Sequence, residues 1–246
     1  MRIFIKLFIS LAFCILNVFL ISKETITIFS GKAYNNKKEH IFTEEYTIIR
    51  DGDKVTQVNT IFKDPKGLTI AEMASDFSLH DFLPKIHFEK LDEFSYGASL
   101  IESSLQVFRT TQKKILKSKK LNIKDGMVAG PGFYFYVLDN LEKLISGKSM
   151  KMTLVQPNRL SSYTFTMKLS DYDKETDHAT INMSVDNKLI KAFVPDIELV
   201  LNAKEKSLVS YKGLSGFLSD GTTMRKVKID YSAPEDQIKG LLRARE

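Results

Sequence analysis

The sequence holds four histidines, His40, His80, His87 and His178, and one cysteine, Cys14. Metal binding by imidazole needs partner ligands at characteristic spacing, and acyl transfer needs a nucleophile with a base beside it. No two of these histidines stand at ligand spacing, and no serine elbow or second thiol accompanies them, so each reads as a surface or turn residue. His80-Asp81 sets a carboxylate beside an imidazole, but sequence neighbours rarely orient one another, and the pair reads as part of the loop 75–84. Asp171-Tyr-Asp-Lys-Glu-Thr-Asp177 places four carboxylates at alternate positions, like the first ligands of a calcium loop. It lacks the central glycine and the closing bidentate glutamate, so it reads as a solvated hairpin turn. No catalytic residue, metal site or cofactor is expected.

Two other groups of residues suit binding better than reaction. Lys113, Lys114, Lys117, Lys119 and Lys120 give five positive charges in eight residues, without interleaved aromatics. An edge strand that its charges keep from pairing is one reading; a rim that attracts anionic lipid head groups is the other. Phe133, Tyr134, Phe135 and Tyr136 put rings all round one helical turn. Some of them must leave the helix's main apolar face, and those can line a cavity mouth.

The elements that must position these groups are mostly strands. From Thr25 to Thr110, short runs rich in Ile, Val, Thr, Phe and Tyr alternate with turn chemistry, which predicts successive hairpins. Asp51-Gly52-Asp53 supplies a positive-φ position for a tight turn, and Asp64-Pro65-Lys66-Gly67 pairs an early proline with a late glycine. One convincing helix is predicted over 131–146, opened by Gly130-Pro131 and closed by Gly147. Tyr134, Val137, Leu138, Leu141, Leu144 and Ile145 form its apolar face, while Asp139, Asn140, Glu142 and Lys143 cover the other. Strands resume from Met150 to Tyr231, and residues 233–246 read as a polar tail or frayed helix. About ten to twelve strands around one helix predict a mainly β (α+β) fold: a strongly curved antiparallel sheet, or open half-barrel, wrapped on that helix.

The N-terminus adds an address. Arg2 and Lys6 precede Leu7–Ile21, which carries no charge and is short of the roughly 20 residues that span a bilayer, so residues 1–22 read as a secretory signal peptide or an uncleaved anchor. Phe13 argues against lipoprotein processing at Cys14. Export is expected, to the periplasm first, with inner-membrane anchoring or secretion as alternatives. Residues 23–232 then form a single antiparallel-β domain that must be stable without a disulfide. The full chain carries a formal charge of +6. Without Arg2 and Lys6 it is roughly +4, mildly basic and not a nucleic-acid signature.

Gly31-Lys32-Ala33-Tyr34, Glu44-Glu45-Tyr46, Asp64-Pro65-Lys66-Gly67, Ala71, Asp76-Phe77, Pro84, Gly132-Phe133, Val137, Leu144 and Gly147 together resemble a family of uncharacterised exported bacterial proteins. The architecture of that family is similar to the LolA/LolB-like lipoprotein-carrier fold. The resemblance implies a half-barrel closed on one side by a helix, enclosing an apolar cavity for acyl chains. The expectation is a non-enzymatic binding or carrier protein for a lipid or acyl chain. Tyr134, Val137, Leu138 and Leu141 would face the cavity, and the lysine cluster would form a membrane-facing rim for an anionic surface. The alternative is an envelope scaffold or protein-interaction domain whose concavity is filled by its own side chains.

Overall fold

A computed structural model of the chain describes residues 24–91, 93–110, 116–187, 191, 195–215 and 225–238. The expected signal segment 1–22, Lys113, Lys114, the turn 216–222 and residues 239–246 of the expected tail lie outside them.

Hairpins build the first half: β1 (Glu24–Tyr34), β2 (His40–Asp51), β3 (Lys54–Lys63), β4 (Thr69–Asp76), β5 (Lys85–Lys90), β6 (Phe94–Ile101), β7 (Ser104–Thr110) and β8 (Leu116–Asn122). Each pairs antiparallel with the next. The turn chemistry works as read: Gly52 has φ 59° and Gly67 has φ 87°. In the second half β9 (Met127–Ala129) leads into two short helices, α1 (Gly132–Asp139) and α2 (Leu141–Ile145). There follow β10 (Met150–Gln156), β11 (Ser161–Asp173), β12 (His178–Val185), β13 (Ile197–Asn202), β14 (Ser207–Ser215), β15 (Arg225–Tyr231) and β16 (Glu235–Ile238). Among the described residues one sheet runs from β8 back to β1, on through β15, and back again to β9, with β16 attached to β1.

That order makes an open barrel. Alternation decides which side chains enter it: in β3, Val58, Thr60 and Phe62 are buried while Ile61 faces out. The end strands β8 and β9 are not neighbours in the ladder, and side chains bridge the seam instead. Met127, Ala129 and Val155 pack against Leu83, Ile86, Ala98, Leu105 and Val107. The Ala129 N–H also donates to Phe82 O at 3.0 Å, and Arg109 Nη1 donates to Asn158 O at 3.0 Å.

β9 pairs parallel with β10, so the chain between them crosses over, and the helices of that crossover lie on the inner face of the sheet. Val137, Leu141 and Leu144 are buried against β10–β13, among Met152, Phe165, Met167, Ile181 and Leu199. On the opposite side Tyr134 and Phe135 meet Phe29, Ile48, Val58 and Phe77. The curved sheet thus wraps on the helical unit, as the sequence pattern predicts.

Three expectations change. The helix over 131–146 is broken at Asn140, whose backbone leaves the helical region (φ −106°, ψ 7°). Its Nδ2 donates to Tyr136 O at 2.9 Å and its Oδ1 accepts from Lys143 Nζ at 2.9 Å, so the side chain competes with the helical ladder. Asn140 is therefore buried, not part of a solvent face. Strands exceed ten to twelve: among the described residues the sheet has 16, and two of those not foreseen are β9, too short to announce itself, and β16, too polar. The expected tail begins as that last strand. Asp236 Oδ1 accepts from Thr27 Oγ1 at 2.5 Å, the Ser30 N–H donates to Ser232 Oγ and the Ser232 N–H to Ser30 O, which helps hold residues 235–238 on β1.

Candidate functional site

Between the β1–β6 side of the barrel, β14–β15 and the start of α1 lies a cavity of about 280 Å³. Its walls are mainly rings and aliphatic groups. Phe29 stacks on Tyr46 with ring centres 4.6 Å apart, and Phe88 stacks on Tyr96 at 4.3 Å. Gly130, Pro131, Phe133, Tyr134 and Phe135 close one end.

Of the residues the sequence assigned to a cavity, only Tyr134 lines this one. Its ring lies 6.3 Å from that of Phe29, and its hydroxyl turns away to donate to Lys206 O. Val137, Leu138 and Leu141 do not line it; they pack into the core over β10–β13. The correction has a simple cause: the face at steps of three and four is the one the helix seals against the sheet, so the cavity is left to the first turn. Three of the four consecutive aromatics line it, while Tyr136 points elsewhere, packing edge-on to Phe82 and donating to Lys151 O.

A polar group that sequence reasoning did not assign sits in this apolar wall. Glu44 is 5% exposed and lines the cavity. Its Oε1 accepts from Tyr231 Oη at 2.5 Å and from Tyr46 Oη at 3.0 Å. Burial pushes the Glu44 carboxyl up to about 7, against the pull of the two tyrosine hydroxyls. Burial and the neighbouring Glu44 charge hold both of those phenols well above their ordinary range. Tyr211 completes the wall, its hydroxyl donating to Leu214 O at 3.0 Å.

Gly31 makes the cluster possible. It lies opposite Tyr231 on one side and Glu44 on the other, so Tyr231 must reach across β1. A Cβ on Gly31 would stand 2.6 Å from Tyr231 Cε1 and 2.7 Å from Ile229 Cγ2. Gly31→Ala is expected to displace the ring and destabilise the fold by about 1 kcal/mol, the lower end for overpacking. Urea midpoints of Gly31→Ala and Tyr231→Phe check this. An Ala variant as stable as wild type would mean that the ring has room to move. The signal was legible in β2: Phe42, Glu44, Tyr46 and Ile48 share one face at period two, and a carboxylate there interrupts an otherwise apolar row.

His80, His40 and the 171–177 turn hold local backbone and side chains in place. His80 Nδ1 accepts the N–H groups of Phe82 and Leu83 and so shapes the loop over α1. His40 Nε2 bonds Phe42 O and Thr43 Oγ1. In the 171–177 turn, Asp173 accepts from Glu175 N and Thr176 Oγ1, and Asp177 from Tyr172 Oη. Lys117, Lys119 and Lys120 are exposed on β8, the end strand of the sheet path. Lys117 and Lys119 continue the inner-face row of Arg109 and Val107, whereas Lys120 lies on the outer face.

No family model matches the sequence, and no curated protein matches it. Among solved structures the fold is similar to a beta-barrel-like protein of the domain of unknown function DUF1849 from Brucella abortus. The TM-score is 0.50 at 9% identity, covering 88% of this chain and 98% of that chain. The likeness is one of fold, a β-barrel-like domain, and extends no further.

Proposed function

We infer that this chain is a non-enzymatic binding or carrier protein that holds one apolar chain, an acyl group or lipid tail, inside the open barrel. The observation that carries this reading is the interior cavity walled by Phe29, Ile48, Phe88, Phe133 and Tyr134. Burial of apolar surface supplies the affinity, at roughly 25 cal/mol per Å². The volume of about 280 Å³ stands just below the usual range of ligand pockets, roughly 300–1,000 Å³, which suits one slender chain better than a multiply acylated anchor. Residues 1–22 would bring the domain to the periplasm, where a LolA-like carrier role would place it between membranes.

Native mass spectrometry of the chain, expressed with its own N-terminal segment and purified without detergent, tests the reading. A bound lipid released by solvent extraction is expected, and Phe133→Glu should lose it while keeping the far-ultraviolet spectrum of the β fold. A ligand-free mass that also takes up no neutral apolar dye would overturn it in favour of a scaffold.

The exposed lysines of β8 would aid encounter with anionic membranes. Changing Lys117 and Lys119 to Gln is expected to weaken binding to phosphatidylserine vesicles about tenfold at low salt. Vesicle co-sedimentation that does not respond to the change would leave these lysines as edge protection alone.

A further inference from the structure

The Glu44 cluster has a direction. Both tyrosine hydroxyls are spent on Oε1, and among the described residues Oε2 accepts no hydrogen bond. The hydroxyls of Tyr134 and Tyr211, which share the wall, are spent on backbone carbonyls. No described salt bridge reaches Glu44. Tyr96 also lines the wall, and its hydroxyl makes no hydrogen bond among the described residues, so the wall offers an acceptor at Glu44 Oε2 and one neutral donor at Tyr96, beside rings that take a hydrocarbon chain.

The geometry points to Glu44 as the specificity-determining residue of the cavity, selecting apolar ligands whose polar end donates a hydrogen bond, a hydroxyl or an amine, and rejecting carboxylates. This rests on the binding reading above. A fatty-acid anion beside Glu44 Oε2 would bring a second negative charge into a mainly apolar site, and the neutral Tyr96 phenol can give it a hydrogen bond but no counter-charge. A hydroxyl donates to the ionised carboxylate and can accept from the protonated one, so it fits either state. An ammonium pairs with the ionised state.

The test is displacement of Nile red, a neutral apolar dye, from the full chain at pH 8 by 1-decanol, decylamine or decanoate. Decanol and decylamine are expected to displace it at least about tenfold more effectively than decanoate, a difference worth roughly 1.4 kcal/mol. Glu44→Gln should bring decanoate within about threefold of decanol, because the amide is neutral and adds a donor. Wild-type protein at pH 5.5 gives a second measurement that needs no variant. Glu44 is there largely protonated, and the decanoate penalty should shrink. Decanoate that matches decanol on wild-type protein at pH 8 would overturn the selectivity and leave the binding reading intact. A protein that takes up no Nile red and responds to none of the three would instead overturn the binding reading.

Discussion

Wild-type stability is expected to fall by about 3 kcal/mol as pH rises from about 4.5 to above 7, and Glu44→Gln is expected to abolish that fall. The folded carboxyl sits at about 7 against an ordinary value of 4.5. Between those values the native state binds more protons than the unfolded chain. The contribution is thus fully present below the unfolded value and is lost as pH rises through the folded one. Two phenols donating to Oε1 soften the cost of ionising Glu44, but desolvation is the larger effect. The amide of Gln keeps an acceptor for Tyr46 and Tyr231 and carries no charge to desolvate. Urea unfolding at pH 5 and pH 8 separates the outcomes: near-equal midpoints at pH 5 with the variant ahead at pH 8 are expected. Parallel pH profiles for the two proteins would show that Glu44 stays ionised and well hydrated.

Gly132→Ala should destabilise the fold by about 2 kcal/mol or more, lowering Tm by roughly 4–8 °C, although alanine is the better helix former. Gly132 is buried at the start of α1, under the loop that contains Phe82. A Cβ there would stand 2.2 Å from Phe82 O and 2.7 Å from Phe82 C, and backbone cannot swing away as a side-chain tip can. The same carbonyl accepts from Ala129 N, and the loop is further held by His80 Nδ1 and by Phe77 edge-on to Phe135. Moving the loop therefore breaks several contacts at once and opens one end of the cavity. The helix propensity of alanine, about 1 kcal/mol, offsets only part of an overpacking cost of roughly 3 kcal/mol. Thermal unfolding decides it; an unchanged or raised Tm would mean that the loop rides freely on α1.

Local chemistry made much of the sheet readable. Asp51-Gly52-Asp53 and Asp64–Gly67 turn the chain where their backbone preferences say they should, and the runs between them carry the period-two alternation of half-buried strands. Elements whose chemistry is not local were missed. Residues 235–237 are polar, and 235–238 become a strand because β15 leaves the edge of β1 open on the N-terminal side of Ser30. Asn140 looks like a solvent-facing helical residue until its amide is seen to take the Tyr136 carbonyl.

By itself the sequence determined the curved, mainly β architecture and the single helical insert, because turn residues and apolar periodicity act over a few residues and bias each segment directly. It also placed four rings at the start of α1, three of which line the cavity. Only the tertiary structure decided which apolar residues seal the core and which face empty space, since Val137 and Tyr134 differ in what the sheet brings opposite them. It alone joined Gly31, Glu44, Tyr46 and Tyr231, residues up to 200 positions apart in the chain. Strand order sets that distance, with β15 returning beside β1, and a glycine between them lets a phenol reach a buried carboxyl.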